Sequence, residues 1–183
     1  MTSIQLNLFE QRFIKDPRKY NGFEPPKVRK KKDCIFCKKL FGTEEVNHEY
    51  VMELLHDAIF TKNELELELL LMLLYHFDCV NHYCILLSQL LIQPWHHRHD
   101  EIAGALEFED DERLIEIWHQ AALYRCDNLD YESDYCEFNR KCLFALARIG
   151  TQDAIKCMKD ISHADNPIIA NHALEVMKLY NFI

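Results

Sequence analysis

Laid against itself with a shift of forty positions, the C-terminal half of this chain brings one helical pattern over another. Ile102, Ala105, Leu106, Leu114, Ile115 and Trp118 fall opposite Cys142, Ala145, Leu146, Ala154, Ile155 and Met158. A unit of this length is one helical hairpin, which cannot bury its apolar face alone and becomes stable by stacking on its neighbours. The repeat over 96–183 therefore predicts an α-solenoid. Such a scaffold offers a long surface and carries no reaction centre of its own, so it favours binding over catalysis.

The whole chain reads as all-α, an irregular helical N-terminal half leading into the hairpins. Its 183 residues are 49% hydrophobic, enough for a continuous core, and only four Gly and five Pro argue against a loop-rich β fold. Residues 1–42 are expected to form an N-terminal helix and a basic arm, and residues 43–183 a single α-helical domain. Met1 to Ile14 can form an amphipathic helix with Ile4, Leu8 and Phe9 or Phe13 on one side, ended by Asp16 and Pro17. The paired Pro25 and Pro26 and the bases Lys27, Arg29, Lys30, Lys31 and Lys32 then suggest that 16–42 has little structure of its own.

Thr43 is the expected N-cap of a helix reaching about Phe60, followed by helices over Glu64 to Phe77 and Asn81 to Ile92, the last closed by Pro94. In the repeat region helices are expected over His97 to Phe108, after an Asp110 cap, over Phe138 to Ile149, after a Thr151 cap, and from Pro167 onward, with a loop at 127–135. Gly150 suits the left-handed residue that ends a helix, and Pro167 a first helical position, where its missing amide costs nothing.

Ala145-Leu146-Ala147-Arg148-Ile149-Gly150-Thr151-Gln152-Asp153-Ala154-Ile155, followed by Asp165-Asn166-Pro167-Ile168-Ile169-Ala170-Asn171-His172-Ala173-Leu174, resembles HEAT-like repeats. The match covers about half the chain and is better over 134–177 than over 96–124, where no Gly separates the helices. With Trp95-His96-His97-Arg98-His99-Asp100-Glu101-Ile102, an acidic Tyr-rich loop and Arg140-Lys141-Cys142-Leu143, the chain is similar to small bacterial HEAT-like immunity proteins of polymorphic or contact-dependent toxin systems. That resemblance implies right-handed stacking, a cytoplasmic location and neutralisation of one toxin domain. It brings no catalytic residues.

Charge is divided unevenly. Residues 1–42 hold eleven Lys or Arg against four acids, a balance of +7, and residues 43–183 hold ten against 26, a balance of −16, which together give the −9 of the chain. An acidic body repels nucleic acid, whose affinity for proteins comes from phosphate neutralisation, and attracts a cationic protein. Two clusters concentrate the acid: Glu107, Glu109, Asp110, Asp111 and Glu112 at a helical turn, and Asp127, Asp130, Glu132, Asp134 and Glu137 around the longest repeat loop, with Tyr131 and Tyr135 among them. Tyrosine combines contact area with a polar tip, as interface anchors do. Partner contacts are therefore expected at Glu109, Asp110, Asp111, Glu112, Asp127, Asp130, Tyr131, Glu132, Asp134 and Tyr135. The same acids also serve as helix starts, and the tyrosines can simply pack against a neighbouring helix.

Chemistry is sparse. Cys34 and Cys37 have the spacing of half a structural zinc site, with His48 as a further ligand candidate, but a second pair is missing and packing of Phe36 and Leu40 competes as an explanation. His96, His97 and His99 beside Asp100 and Glu101 invite a metal completed by His119 or His172, yet neighbouring helical residues point apart, and a polar helix start anchored by Trp95 is the better explanation. Lys27 to Lys32 suits an anionic partner, plain solvation or an arm lying across the acidic body. No cofactor, membrane or nucleic-acid partner is expected, and no enzyme activity. Cys84, Cys126, Cys142 and Cys157 lie at helical apolar spacing, which predicts reduced thiols. Residues 1–14 show no leader pattern and the longest apolar run is far too short to span a bilayer, so a soluble cytoplasmic protein is expected. A general scaffold for several partners and a HEAT-like DNA glycosylase remain as alternatives; the second needs a basic groove.

Overall fold

The computed structural model describes residues 1–15, 26–125 and 132–183, of 26 and 132–136 the backbone alone. Among the described residues the chain is all-α and contains no strand. None of these helices is long and apolar enough to cross a membrane. Two compact units result, Met1–Cys79 and Val80–Ile183; the boundary falls inside the stretch expected to be one domain from 43 onward.

In the first unit, α1 (Ser3–Phe9) opens with a capping box at Thr2 and Gln5 and runs into a π-helical turn over Glu10–Ile14. Phe9 and Phe13 are buried, but Ile4 is 75% exposed and does not share their face. The expected arm is not an arm over most of its length: α2 spans Pro26–Phe41. Pro26 stands at its first position, and Phe36, Cys37 and Leu40 are buried at helical spacing. Residues 16–25 lie outside the described residues. Phe36 meets Phe9 and Phe13 edge-on, at ring-centroid distances of 5.4 and 5.1 Å.

Gly42, at φ +76°, follows the last residue of α2. Asn47, not Thr43, caps α3 (His48–Thr61) by accepting from the Tyr50 amide at 3.1 Å, while the Thr43 hydroxyl donates to the Glu45 carbonyl. Asn63 caps α4 (Glu64–His76) in the same way, and Leu67, Leu70, Leu71 and Leu74 are buried on it. The Glu-Leu alternation at its start is helix, because one continuous leucine run satisfies a buried helix as well as a strand.

The second unit begins with three short segments where one helix was expected: a 3₁₀ turn over Val80–Tyr83, α5 (Cys84–Ser88) and another 3₁₀ turn over Gln89–Ile92. Then follow α6 (His99–Leu106), a 3₁₀ turn over Glu112–Leu114, α7 (Ile115–Leu123), α8 (Glu132–Ile149), α9 (Gln152–Ile161) and α10 (Pro167–Leu179). Asp111, not Asp110, provides the cap before α7. Of the expected 127–135 loop, 132–135 already belong to α8, and 127–131 lie outside the described residues. Thr151, Gly150 at φ +62°, and Asn166 before Pro167 cap and end the helices as their chemistry predicts.

Neighbours in the chain pack, α7 on α8, α8 on α9 and α9 on α10, and so do alternate helices: α6 on α8, α8 on α10 and α7 on α9. Ion pairs also join alternate helices. Lys141 of α8 reaches the Asp100 carboxylate of α6 at 2.7 Å, and His119 of α7 pairs with Asp160 of α9 at 2.8 Å. Both pairs are forty-one residues apart. Between them lies a core of Ile102, Leu106, Trp118, Phe138, Leu146 and Met158, all fully buried. Asn139, also buried, donates from α8 to the Ala122 carbonyl of α7.

Candidate functional site

The connection from α6 to α7 gathers the first acidic cluster at one corner of the second unit. Asp111 is spoken for: it accepts the Arg113 amide at 2.9 Å and binds the Arg113 guanidinium at 2.6 Å. That fork holds its carboxyl below the usual carboxylate range. Glu109, Asp110 and Glu112 form no ion pair among the described residues, and Asp110 and Glu112 are exposed. Between Glu107 and Glu109 stands Phe108, 61% exposed, with the Arg148 guanidinium of α8 4.0 Å above its ring. Phe108 was not singled out from the sequence. The available signal was a large aromatic inside an acid run, at the end of the apolar stripe rather than on it.

Two grooves flank this corner. One, of about 740 Å³, lies between α7 and α9 and takes Glu112, Glu116 and His119 from one side and Asp153, Lys156 and Asp160 from the other. The other, of about 620 Å³, is lined by Glu107, by Glu137, Arg140, Lys141, Phe144 and Arg148 of α8, and by His172 and Tyr180. Both are mixed in charge, the second with Arg140, Lys141 and Arg148 against Glu107 and Glu137. Of the second acidic cluster, Asp127, Asp130 and Tyr131 lie outside the described residues; Glu132, Asp134 and Tyr135 fall in the first turn of α8, their side chains outside the description. Glu137 is exposed and faces Lys141 at 3.8 Å.

The candidate ligands for metal are differently employed. His96 and His99 are fully buried and stacked at 4.3 Å, their Nε2 atoms set against the Leu90 carbonyl at 3.0 Å and the Gln93 carbonyl at 2.8 Å. They are core residues, where the sequence suggested a polar helix start; His97 is exposed and Trp95 half-buried. His119 is occupied by Asp160. Cys37 is buried on α2, and burial together with Asp33 pushes its thiol up to about 11. Cys34 is half-buried and His48 exposed. Among the described residues no three His, Cys, Asp or Glu side chains are grouped to hold a metal ion.

Cys157, beside the His119–Asp160 pair in the α7–α9 groove, has its thiol raised by burial and by Glu116, Asp160 and Asp153. Cys34, Cys37, Cys79, Cys84, Cys142 and Cys157 are free thiols.

No family model, curated protein or solved structure significantly matches this chain.

Proposed function

We propose that this chain is a non-catalytic binding protein whose second unit, a stack of HEAT-like helical hairpins, holds a cationic protein at the α6–α7 corner. The reading is supported by one observation above all. Glu109, Asp110 and Glu112, free of ion pairs among the described residues, surround an exposed Phe108 that already accepts a guanidinium at 4.0 Å. Carboxylates steer a cation and hold it, and the ring adds a face on which arginine stacks. The corner thus offers an arginine- or lysine-bearing surface the contacts that Arg148 already makes. Support for stacked hairpins comes from the alternate packing of α6, α8 and α10 and of α7 and α9.

In its specific form the proposal is an immunity function: cytoplasmic neutralisation of one toxin domain, for which a nuclease, with its phosphate-binding bases, is the natural class. The test is affinity capture of the full-length protein from its native host, with quantitative mass spectrometry. Three forms are compared: wild type, a corner reversal (Glu109→Lys, Asp110→Lys, Glu112→Lys) and a loop reversal (Asp130→Lys, Glu132→Lys, Asp134→Lys). One basic partner should be retained by wild type and lost by about tenfold or more on corner reversal, since each desolvated charge pair is worth of order one decade. Loss on the loop reversal alone would move the contact to 130–134. Several partners, indifferent to both, would make the protein a general scaffold, and appreciable affinity for duplex DNA at low salt would favour the glycosylase-like alternative.

A further inference from the structure

The groove beside α8 gathers bases on a chain that is acidic as a whole. Arg140, Phe144 and Arg148 stand at successive i, i+4 positions of one helix and all line it, with Tyr180 beside Phe144 at 6.4 Å between ring centroids. Lys141, also in the lining, is neutralised by both oxygens of Asp100. Among the described residues the exposed Arg140 and Arg148 form no ion pair, Arg148 lying over Phe108, and they stand one on each side of an aromatic floor.

Spacing says what such a row can read. Four residues of α-helix advance roughly 6 Å, so the arginine, aromatic, arginine row repeats at about that interval. Alternate residues of an extended peptide point to one side and repeat at about 6.6 Å. The two rows match. An extended segment with an acid, an apolar residue and a second acid at alternate positions sets one carboxylate on Arg140, its apolar side chain on Phe144 and Tyr180, and the other carboxylate on Arg148. We propose that this groove is a docking site for such a segment of a protein partner, of the pattern acid-x-apolar-x-acid.

Charge separates this occupant from a nucleic-acid strand. Glu137 lines the groove near Arg140, and Glu107, next to the Phe108 that Arg148 covers, lines it near the other end. A strand with a phosphate at every step would run against both carboxylates. A peptide need carry charge only at the two matching positions, and its backbone amides can face the glutamates as donors. Guanidinium also suits carboxylate, because the two planar groups pair through two hydrogen bonds.

The proposal does not rest on the acidic corner, and its test uses different probes. Fluorescence anisotropy at low ionic strength would follow a labelled peptide with the core Glu-Ser-Leu-Ser-Glu on the full-length protein. Arg140→Glu and Arg148→Glu should each weaken it about tenfold or more, the loss expected when a charge-assisted pair becomes a repulsion. Arg140→Gln and Arg148→Gln, which remove charge without reversing it, should weaken it less but in the same order. Lys156→Glu on α9 makes the same charge change away from the groove and should leave affinity within about twofold. A Gln-Ser-Leu-Ser-Gln peptide should not bind, and a Glu-Glu-Leu-Ser-Ser peptide should bind more weakly than the matched spacing. The proposal is overturned if the three peptides bind alike, if Lys156→Glu costs as much as Arg148→Glu, or if a single-stranded oligonucleotide binds more tightly than the matched peptide.

Discussion

His96 illustrates how a buried polar side chain can act as a structural hub. Its Nδ1 accepts the Arg98 amide at 3.1 Å, its Nε2 reaches the Leu90 carbonyl, and its ring stacks on His99. Both nitrogens are thus used by the backbone on either side of the Gln93–Pro94 turn. His96→Ala removes the acceptor of the Arg98 amide and leaves a cavity, while the Leu90 carbonyl keeps the Gln93 amide, so it should cost about 2–4 kcal/mol of unfolding free energy in urea titrations. A cost within measurement error would mean that neither bond contributes. The cysteines give a second measurement. Burial pushes the Cys37 and Cys79 thiols up to about 11 and that of Cys142 higher still. Alkylation at pH 8 with peptide mapping should therefore leave these three unmodified in the native protein and label them in denaturant; rapid native labelling would place them at the surface.

The basic helix α2 is held by a polar cluster that composition alone conceals. Asp33 accepts from Arg12 at 2.6 Å and lies 2.7 Å from His76 Nε2, so one carboxylate ties α2 to the π-helical turn and to the end of α4. Arg29 adds a hydrogen bond to the His76 carbonyl. Asp33→Asn keeps the shape but removes the anion from between the partly buried Arg12 and His76, at a cost of about 2–4 kcal/mol by urea unfolding. Burial, the larger effect, lowers the His76 pKa despite the opposing pull of Asp33. A base depressed in the folded state binds its proton more readily when unfolded. Its contribution is complete above the unfolded value near 6.5 and is lost as pH falls through that value toward the folded one. Amide exchange in α2 should accordingly quicken as pH drops below about 6.5, after correction for intrinsic rates, and an unchanged corrected rate would show that His76 does not restrain α2. This helix was masked in the sequence by its lysines, which suggest solvation, although Phe36, Cys37 and Leu40 already carried a helical stripe. Asn47 lost to Thr43 for a similar reason. Both are good caps, and only the tertiary position of Tyr50 and Val51 decides where the helix starts. A cap followed closely by an apolar stripe, as at Thr151, was legible without help.

Charge and repetition work together across the second unit. Apolar positions recur in the sequence at a forty-residue shift, and in the fold Asp100–Lys141 and His119–Asp160 join alternate helices of the unit. The surfaces were harder to read. The sequence pointed to acidic residues as a class, whereas folding sorts them by use: Asp111 spends its charge on Arg113, and Glu109, Asp110 and Glu112 keep theirs. Arg140 and Arg148 read as scattered bases until α8 aligns them with Phe144 along one groove. Both proposed surfaces lie wholly within Val80–Ile183, whose helices pack on one another around Trp118, Phe138 and Leu146. A unit with its own buried core draws its stability from the contacts within it. Expressed alone, Val80–Ile183 should therefore be helical by circular dichroism and melt cooperatively. It should bind the Glu-Ser-Leu-Ser-Glu peptide within about threefold of the full chain, since no residue of the groove has been removed. A fragment that melts without a transition would show that residues 1–79 complete its core. One that melts cooperatively but fails to bind the peptide would mean that the groove depends on the first unit, and that recognition belongs to the whole chain rather than to its repeats.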